Sequence, residues 1–169
     1  MGSQLLYVNL SQWGDYIGSV TLAADSVSMD VSAIPAGYRF LVVMISTRLE
    51  AAKPATTLCI QLNADGGNSY SFLKAFFQPG DVFGTVSLVS TVMYGVNVDS
   101  GYFAMSQFQI AQIPTGSPKG YTIFGGDPNQ GFLTTGSWSG IVAVNQITLT
   151  TASGDKFKAG SQFHVYGVR

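Results

Sequence analysis

Short runs of alternating apolar and polar residues fill this chain. Near its end, Ile147 and Leu149 alternate with Gln146, Thr148 and Thr150, and Phe163 and Val165 alternate with Gln162, His164 and Tyr166. Successive side chains on a strand point to opposite faces, so each run predicts a half-buried strand. The connection from Ala152 to Gly160 carries Ser153, Gly154, Asp155 and Gly160, the residue types a turn uses. The expectation is a C-terminal β-hairpin tied into the core, built from Ile147, Leu149, Phe157, Gly160, Ser161, Phe163, Val165, Tyr166 and Gly167.

The rest of the chain reads the same way. Asp15 to Ala24 carries Ile17 and Val20, and Ser26 to Val31 alternates Val27, Met29 and Val31 against Ser28 and Asp30. Ile34-Pro-Ala-Gly37 predicts a turn. Tyr38 to Thr47 is almost continuously apolar, which predicts a strand buried on both faces. Further strands are expected at Thr57 to Asn63 and Tyr70 to Phe77, joined by a tight turn over Ala64 to Ser69. Val86 to Val96 and Tyr102 to Ile113 read as a hairpin about residues 97–101. Tyr121 to Phe124 reads as a short strand, and Phe132 to Ser137 has no clear pattern. No stretch shows an amphipathic helical face or heptads. About ten strands separated by Gly, Pro and Asn turns predict an all-β, antiparallel β-sandwich, with a jelly roll among the candidate topologies. Residues 1–14 read as an N-terminal arm and residues 15–169 as a single domain.

Composition adds one constraint. Only 10% of the 169 residues are charged, against about 25% in typical domains, while 46% are hydrophobic. Uncharged polar residues, or another subunit, must therefore cover much of the surface. The net charge of −1 offers no broad attraction to nucleic acid or membrane. Nothing reaches 18 consecutive apolar residues, and Met-Gly-Ser-Gln-Leu-Leu lacks the basic start of a signal peptide. Cys59 stands alone, which excludes an intrachain disulfide and reads as a buried structural thiol.

Candidate chemistry is sparse, and the expectation is a protein without enzymatic activity. The single histidine, His164, has no second ligand nearby for a transition metal, and no Gly-x-Ser-x-Gly elbow exists to pair with it. Asn63-Ala-Asp65-Gly66-Gly67-Asn68 has some of the oxygens of a calcium loop, but Lys74 occupies the position where the closing glutamate belongs. A hairpin turn through Asp65-Gly66 and Gly67-Asn68, leading into Tyr70, explains the segment better. No metal or cofactor is expected. Phe76 and Phe77 are neighbours on a strand and so face opposite ways. One is expected in the core and the other at an interface.

Three segments, in order, resemble tailed-bacteriophage virion proteins. Leu62-Asn-Ala-Asp-Gly-Gly-Asn-Ser-Tyr-Ser71 is similar to their N-x-D-x-G-x-Y-S segment, with Ala64 where glycine is usual. Trp138-Ser-Gly-Ile-Val-Ala-Val-Asn-Gln-Ile-Thr-Leu149 is similar to a strand that follows it. Phe157-Lys-Ala-Gly-Ser-Gln-Phe-His-Val-Tyr-Gly-Val168 is similar to their F-x-x-GS-x-x-x-x-YG ending. The resemblance implies a jelly roll in a virion, made in the host cytoplasm. The chain is expected to work as a capsid decoration or cement protein, by associating with itself as a homotrimer and docking on other virion proteins. Two alternatives stand beside it. One is a tail-fibre or tail-tip protein binding a host surface glycan. The other is a carbohydrate-binding module or sandwich enzyme of cellular origin.

Overall fold

The computed structural model describes residues 14–50, 56–78, 81–90, 93–98, 103–112, 116–126 and 131–169, with backbone alone at 76, 78, 81–83, 85–89 and 93–98. The expected N-terminal arm lies outside the described residues except for Gly14. Twelve strands are described: β1 (Asp15–Thr21), β2 (Met29–Val31), β3 (Phe40–Thr47), β4 (Thr56–Leu62), β5 (Tyr70–Gln78), β6 (Asp81–Ser90), β7 (Met93–Val98), β8 (Ala104–Ala111), β9 (Lys119–Gly126), β10 (Gly131–Trp138), β11 (Ile147–Thr151) and β12 (Gln162–Val168). They form two antiparallel sheets. The larger runs β1-β12-β3-β8-β9-β10-β5-β6, and the smaller runs β2-β11-β4-β7.

The protein is an all-β sandwich with jelly-roll connectivity. If the β5–β6 and β9–β10 hairpins are set aside, the remaining eight strands lie four to each sheet and change sheet at every step along the chain except from β4 to β7, which pair with each other in the small sheet. That is the double Greek-key wrapping of a jelly roll. The two hairpins widen one sheet to eight strands and leave the other at four.

Alternation explains the layers. Leu41, Val43 and Ile45 of β3, Phe108 and Ile110 of β8, Ile123 of β9 and Phe163 and Val165 of β12 point inward from the large sheet. Met29, Val31, Leu58, Ile60, Leu62, Ile147 and Leu149 meet them from the small one. Each buried Leu, Ile or Phe contributes roughly 1.5–3 kcal/mol of transfer free energy.

Five expectations need correction. β11 and β12 do not form a hairpin: β11 lies between β2 and β4 in the small sheet, while β12 lies between β1 and β3 in the large one. Their connection crosses the edge of the sandwich, and Phe157 in its middle is fully buried. The Phe157 backbone exchanges bonds with Ser26, and Glu50 and Lys158 add bonds on either side. A ten-residue connection pinned this way spans between sheets, whereas a hairpin loop is about 2–5 residues. For the same reason β4 and β5 lie in different sheets, and so do β7 and β8. β7 and β8 therefore do not form the hairpin expected about residues 97–101. Val27 is exposed; Ser26 makes an isolated bridge to Phe157, and the regular strand begins at Met29. Residues 132–138, which show no clear pattern in the sequence, form the regular strand β10 between β9 and β5.

Candidate functional site

The Asn63–Tyr70 segment is a corner of the sandwich. Asn63 and Ala64 adopt positive φ, 53° and 54°, and the Asp65 amide donates to the Leu62 carbonyl at 2.9 Å. Two consecutive left-handed residues make a tight turn of the kind that favours Asn and Gly. The turn therefore sits at Asn63-Ala64, not at the Asp65-Gly66 and Gly67-Asn68 pairs. The Asn63 side chain accepts from the amides of Asn145 and Gln146 and donates to the Ala143 carbonyl. It thereby ties the corner to the segment leading into β11.

Asp65 then holds the other side. Its Oδ1 accepts from the Gly67 amide at 2.9 Å, and its Oδ2 accepts from the Trp138 indole Nε1 at 2.8 Å. Partial burial alone would raise the Asp65 pKa. The bonds from Trp138, Gly67 and Ser69 outweigh that and hold it below the usual carboxylate value. The Tyr70 ring stacks on Trp138 at 6.4 Å, and its hydroxyl accepts from the Leu62 amide at 2.9 Å. Lys119, fully buried, donates to the Gly140 carbonyl and lies 5.4 Å from the Trp138 ring. Each carboxylate oxygen of Asp65 already has a donor, so the cluster is a latch between β4, β5 and β10. Replacing Trp138 with Phe should cost about 2–4 kcal/mol, since it removes a bond to a charged group and leaves a cavity where the larger buried ring was. The replacement should also raise the Asp65 pKa, checked by chemical denaturation and carboxylate NMR titration.

The C-terminal motif residues act as pins too. Ser161 is fully buried; its Oγ accepts from the Arg48 amide and donates to the Arg48 carbonyl, stapling the start of β12 to the end of β3. Gly160 has φ of 87°, a conformation that favours glycine. Gly167 lies against the Tyr38 ring so closely that a Cβ there would overlap it. Tyr166 points the other way and meets Tyr16 edge-to-face at 5.7 Å.

Among the described residues His164 has no carboxylate or thiol partner; it lies in a groove of about 250 Å³ on the outside of the large sheet. Met44, Met105, Phe124, Gln107 and Gln162 share the groove. Cys59 is buried and free, and burial pushes its thiol up to about 12, with Lys74 pulling the other way. That thiol is a poor nucleophile at neutral pH. Among the described residues, no three His, Cys, Asp or Glu side chains gather as a metal site requires. No helix among them is long and apolar enough to cross a membrane.

The broadest feature is the outer face of the large sheet. Met105 is 63% exposed, Leu73 49%, Phe124 46%, Phe77 44% and Leu133 40%. Register places Leu133 beside Phe124, and Phe124 beside Gln107. Phe77 pairs across from Gly131, which leaves its ring open on one side. The Phe76 side chain lies outside the described residues. Sequence alternation alone does not single out Met105, Phe124, Leu133 or Leu73. The signal was there, in large apolar residues at the parity opposite to Phe108, Ile123, Phe132 and Phe72.

Neither a known family's sequence profile nor a curated protein matches this chain. Among solved structures, it is similar to the CBM40 of the Ruminococcus gnavus IT-sialidase bound to alpha2,6 sialyllactose. The identity is 12% over 89% of this chain and 92% of that one, with a TM-score of 0.38. It is also similar to scytalido-glutamic peptidase with a transition state analog inhibitor. There the identity is 11% over 84% of this chain and 75% of that one, with a TM-score of 0.34.

Proposed function

We propose that this chain is a non-enzymatic structural protein of a phage particle, a capsid decoration or cement protein that acts by docking and self-association. The observation that carries the reading is the large sheet's outer face, broad, partly apolar and without a described charge between its strand ends. Exposed apolar surface of this extent marks an association site. The three segments that resemble virion proteins support the same reading. Their residues Asn63, Asp65, Tyr70, Trp138, Phe157, Ser161 and Gly167 all serve the fold, which suits a family united by architecture rather than by a reaction.

A tail-tip protein that binds a host glycan is the second reading. The groove around Phe124, with Gln107, Gln162 and His164 at its walls, favours it, because an aromatic face flanked by amides can stack on and hydrogen-bond a sugar. Electron microscopy of intact particles with this protein labelled should place it regularly over the shell. Label confined to the tail, together with a selective signal on a glycan array, would move the assignment to the second reading. Label absent from particles would end both.

A further inference from the structure

We infer that copies of this chain meet through the outer face of the eight-stranded sheet, in a contact centred on Phe124 and Leu133. The inference deepens the structural-protein reading and rests on it only for the claim that the chain assembles.

Charge is the first argument. A face with a net charge of one sign repels its own copy, and charges buried between copies lose their hydration, so a self-associating face is favoured when it carries few. The described lysines of the large sheet, Lys74 and Lys119, both point into the core. Asp15 and Arg169 pair with each other at the end of the sheet, at 2.8 Å. Arg48 lies just past β3, over the Phe103 ring, and so belongs to the rim. Between these limits the described polar groups are amides, hydroxyls and His164. The amides of Gln109 and Gln162 both donate and accept, so a second copy can satisfy them. A polyanion or an anionic membrane would find no cation to pair with among the described residues of this face.

Area is the second argument. Eight strands about 4.8 Å apart, each about eight residues long at 3.3 Å per residue, make a face of roughly 1,000 Å². A stable interface takes about 800 Å² from each partner. The small sheet, with four shorter strands, offers about a third as much. Two such faces can pack as sheets do in any sandwich, with interleaved side chains about 10 Å between layers.

The experiment is light scattering after size exclusion, at micromolar concentration, on the full chain and on Phe124→Lys and Leu133→Lys. Both side chains are substantially exposed in the single chain, so neither substitution should unfold it, and dichroism melts check this. Val27→Lys, exposed on another part of the surface, is the control. The expected result is a wild-type mass at least twice 17.9 kDa, a fall to 17.9 kDa in both lysine variants with unchanged melting, and no change in the control. A monomeric wild type, or lysine variants that stay associated, overturns the inference. A monomer that still decorates particles leaves the structural reading standing. An assembly that dissociates as expected but is absent from particles leaves the contact and removes the reading.

Discussion

Removing residues 160–169 will prevent the chain from folding. The segment holds all of β12, which lies between β1 and β3 in the large sheet, with six register pairs on one side and seven on the other. Phe163 and Val165 are fully buried, each worth roughly 1.5–3 kcal/mol in transfer from water. The ladder bonds to two neighbours contribute about 0.5–1.5 kcal/mol each. Together these approach the entire stability of a typical domain, about 5–15 kcal/mol. The loss also frees β1 from its only described partner strand and turns β3 into an unpaired edge, which promotes aggregation. The truncated protein should be insoluble, or should keep secondary structure without a cooperative melt. Phe163→Ala is the graded version: a loss of about 3–5 kcal/mol, as for other buried aromatics, read from urea unfolding. A truncation that melts cooperatively at the wild-type temperature would show that β12 is peripheral.

Period-2 alternation made the strands legible because one face of each packs against the other sheet. The pairs Ile147/Leu149 and Phe163/Val165 are plain in the sequence, and all four side chains are fully buried. Alternation carries no information about which sheet a strand joins. A polar, glycine-bearing connection looks the same whether it closes a hairpin or crosses the sandwich. Only Phe157 in the middle of residues 152–161 hints at the crossing, since a large aromatic in a solvent-facing loop is costly. β10 is illegible for another reason. Its inward positions include Thr134 and Gly136, because they lie opposite Lys74 and beneath the Tyr121 hydroxyl rather than against aliphatic side chains. In β3 the apolar run does reach both faces, yet Phe40 is exposed and Met44 half-buried, since the second face is the outer one. The candidate site was partly legible. Asn63, Asp65 and Tyr70 stand out as a motif, but their partners Trp138 and Asn145 come from far along the chain.

Replacing Lys74 with Met will make the protein more stable at neutral pH and change the shape of its stability curve against pH. Lys74 is 4% exposed, on the inward face of β5, with its ammonium 5.6 Å from the Phe132 ring. Burial lowers its pKa to about 8, with Cys59 opposing slightly. Against an unfolded value near 10.4, that shift corresponds to roughly 3 kcal/mol of native-state cost while the amine is protonated in both states. Below pH 8 this cost is constant. Between pH 8 and about 10.4 the folded amine has lost its proton while the unfolded chain keeps one, so stability rises with pH. Cys59 acts in the other direction: its folded thiol titrates at about 12, so from about pH 9 the unfolded chain loses the thiol proton first and stability falls. Tyr70, also raised to about 12 by burial, adds to that fall above pH 10. The wild-type curve should therefore peak near pH 9. Met matches the lysine stem in length and carries no charge, so Lys74→Met removes a burial cost of roughly 3 kcal/mol and forfeits the ammonium's own contacts, for a net gain of about 1–3 kcal/mol at pH 7. At about 2–4 °C per kcal/mol for a chain of this size, the melting temperature should rise by several degrees. The variant should show no rise between pH 8 and 9, and Cys59→Ala should extend the wild-type rise towards pH 10. A Lys74→Met protein that melts lower than wild type at pH 7 would mean that the ammonium contributes more through its contacts than its burial costs.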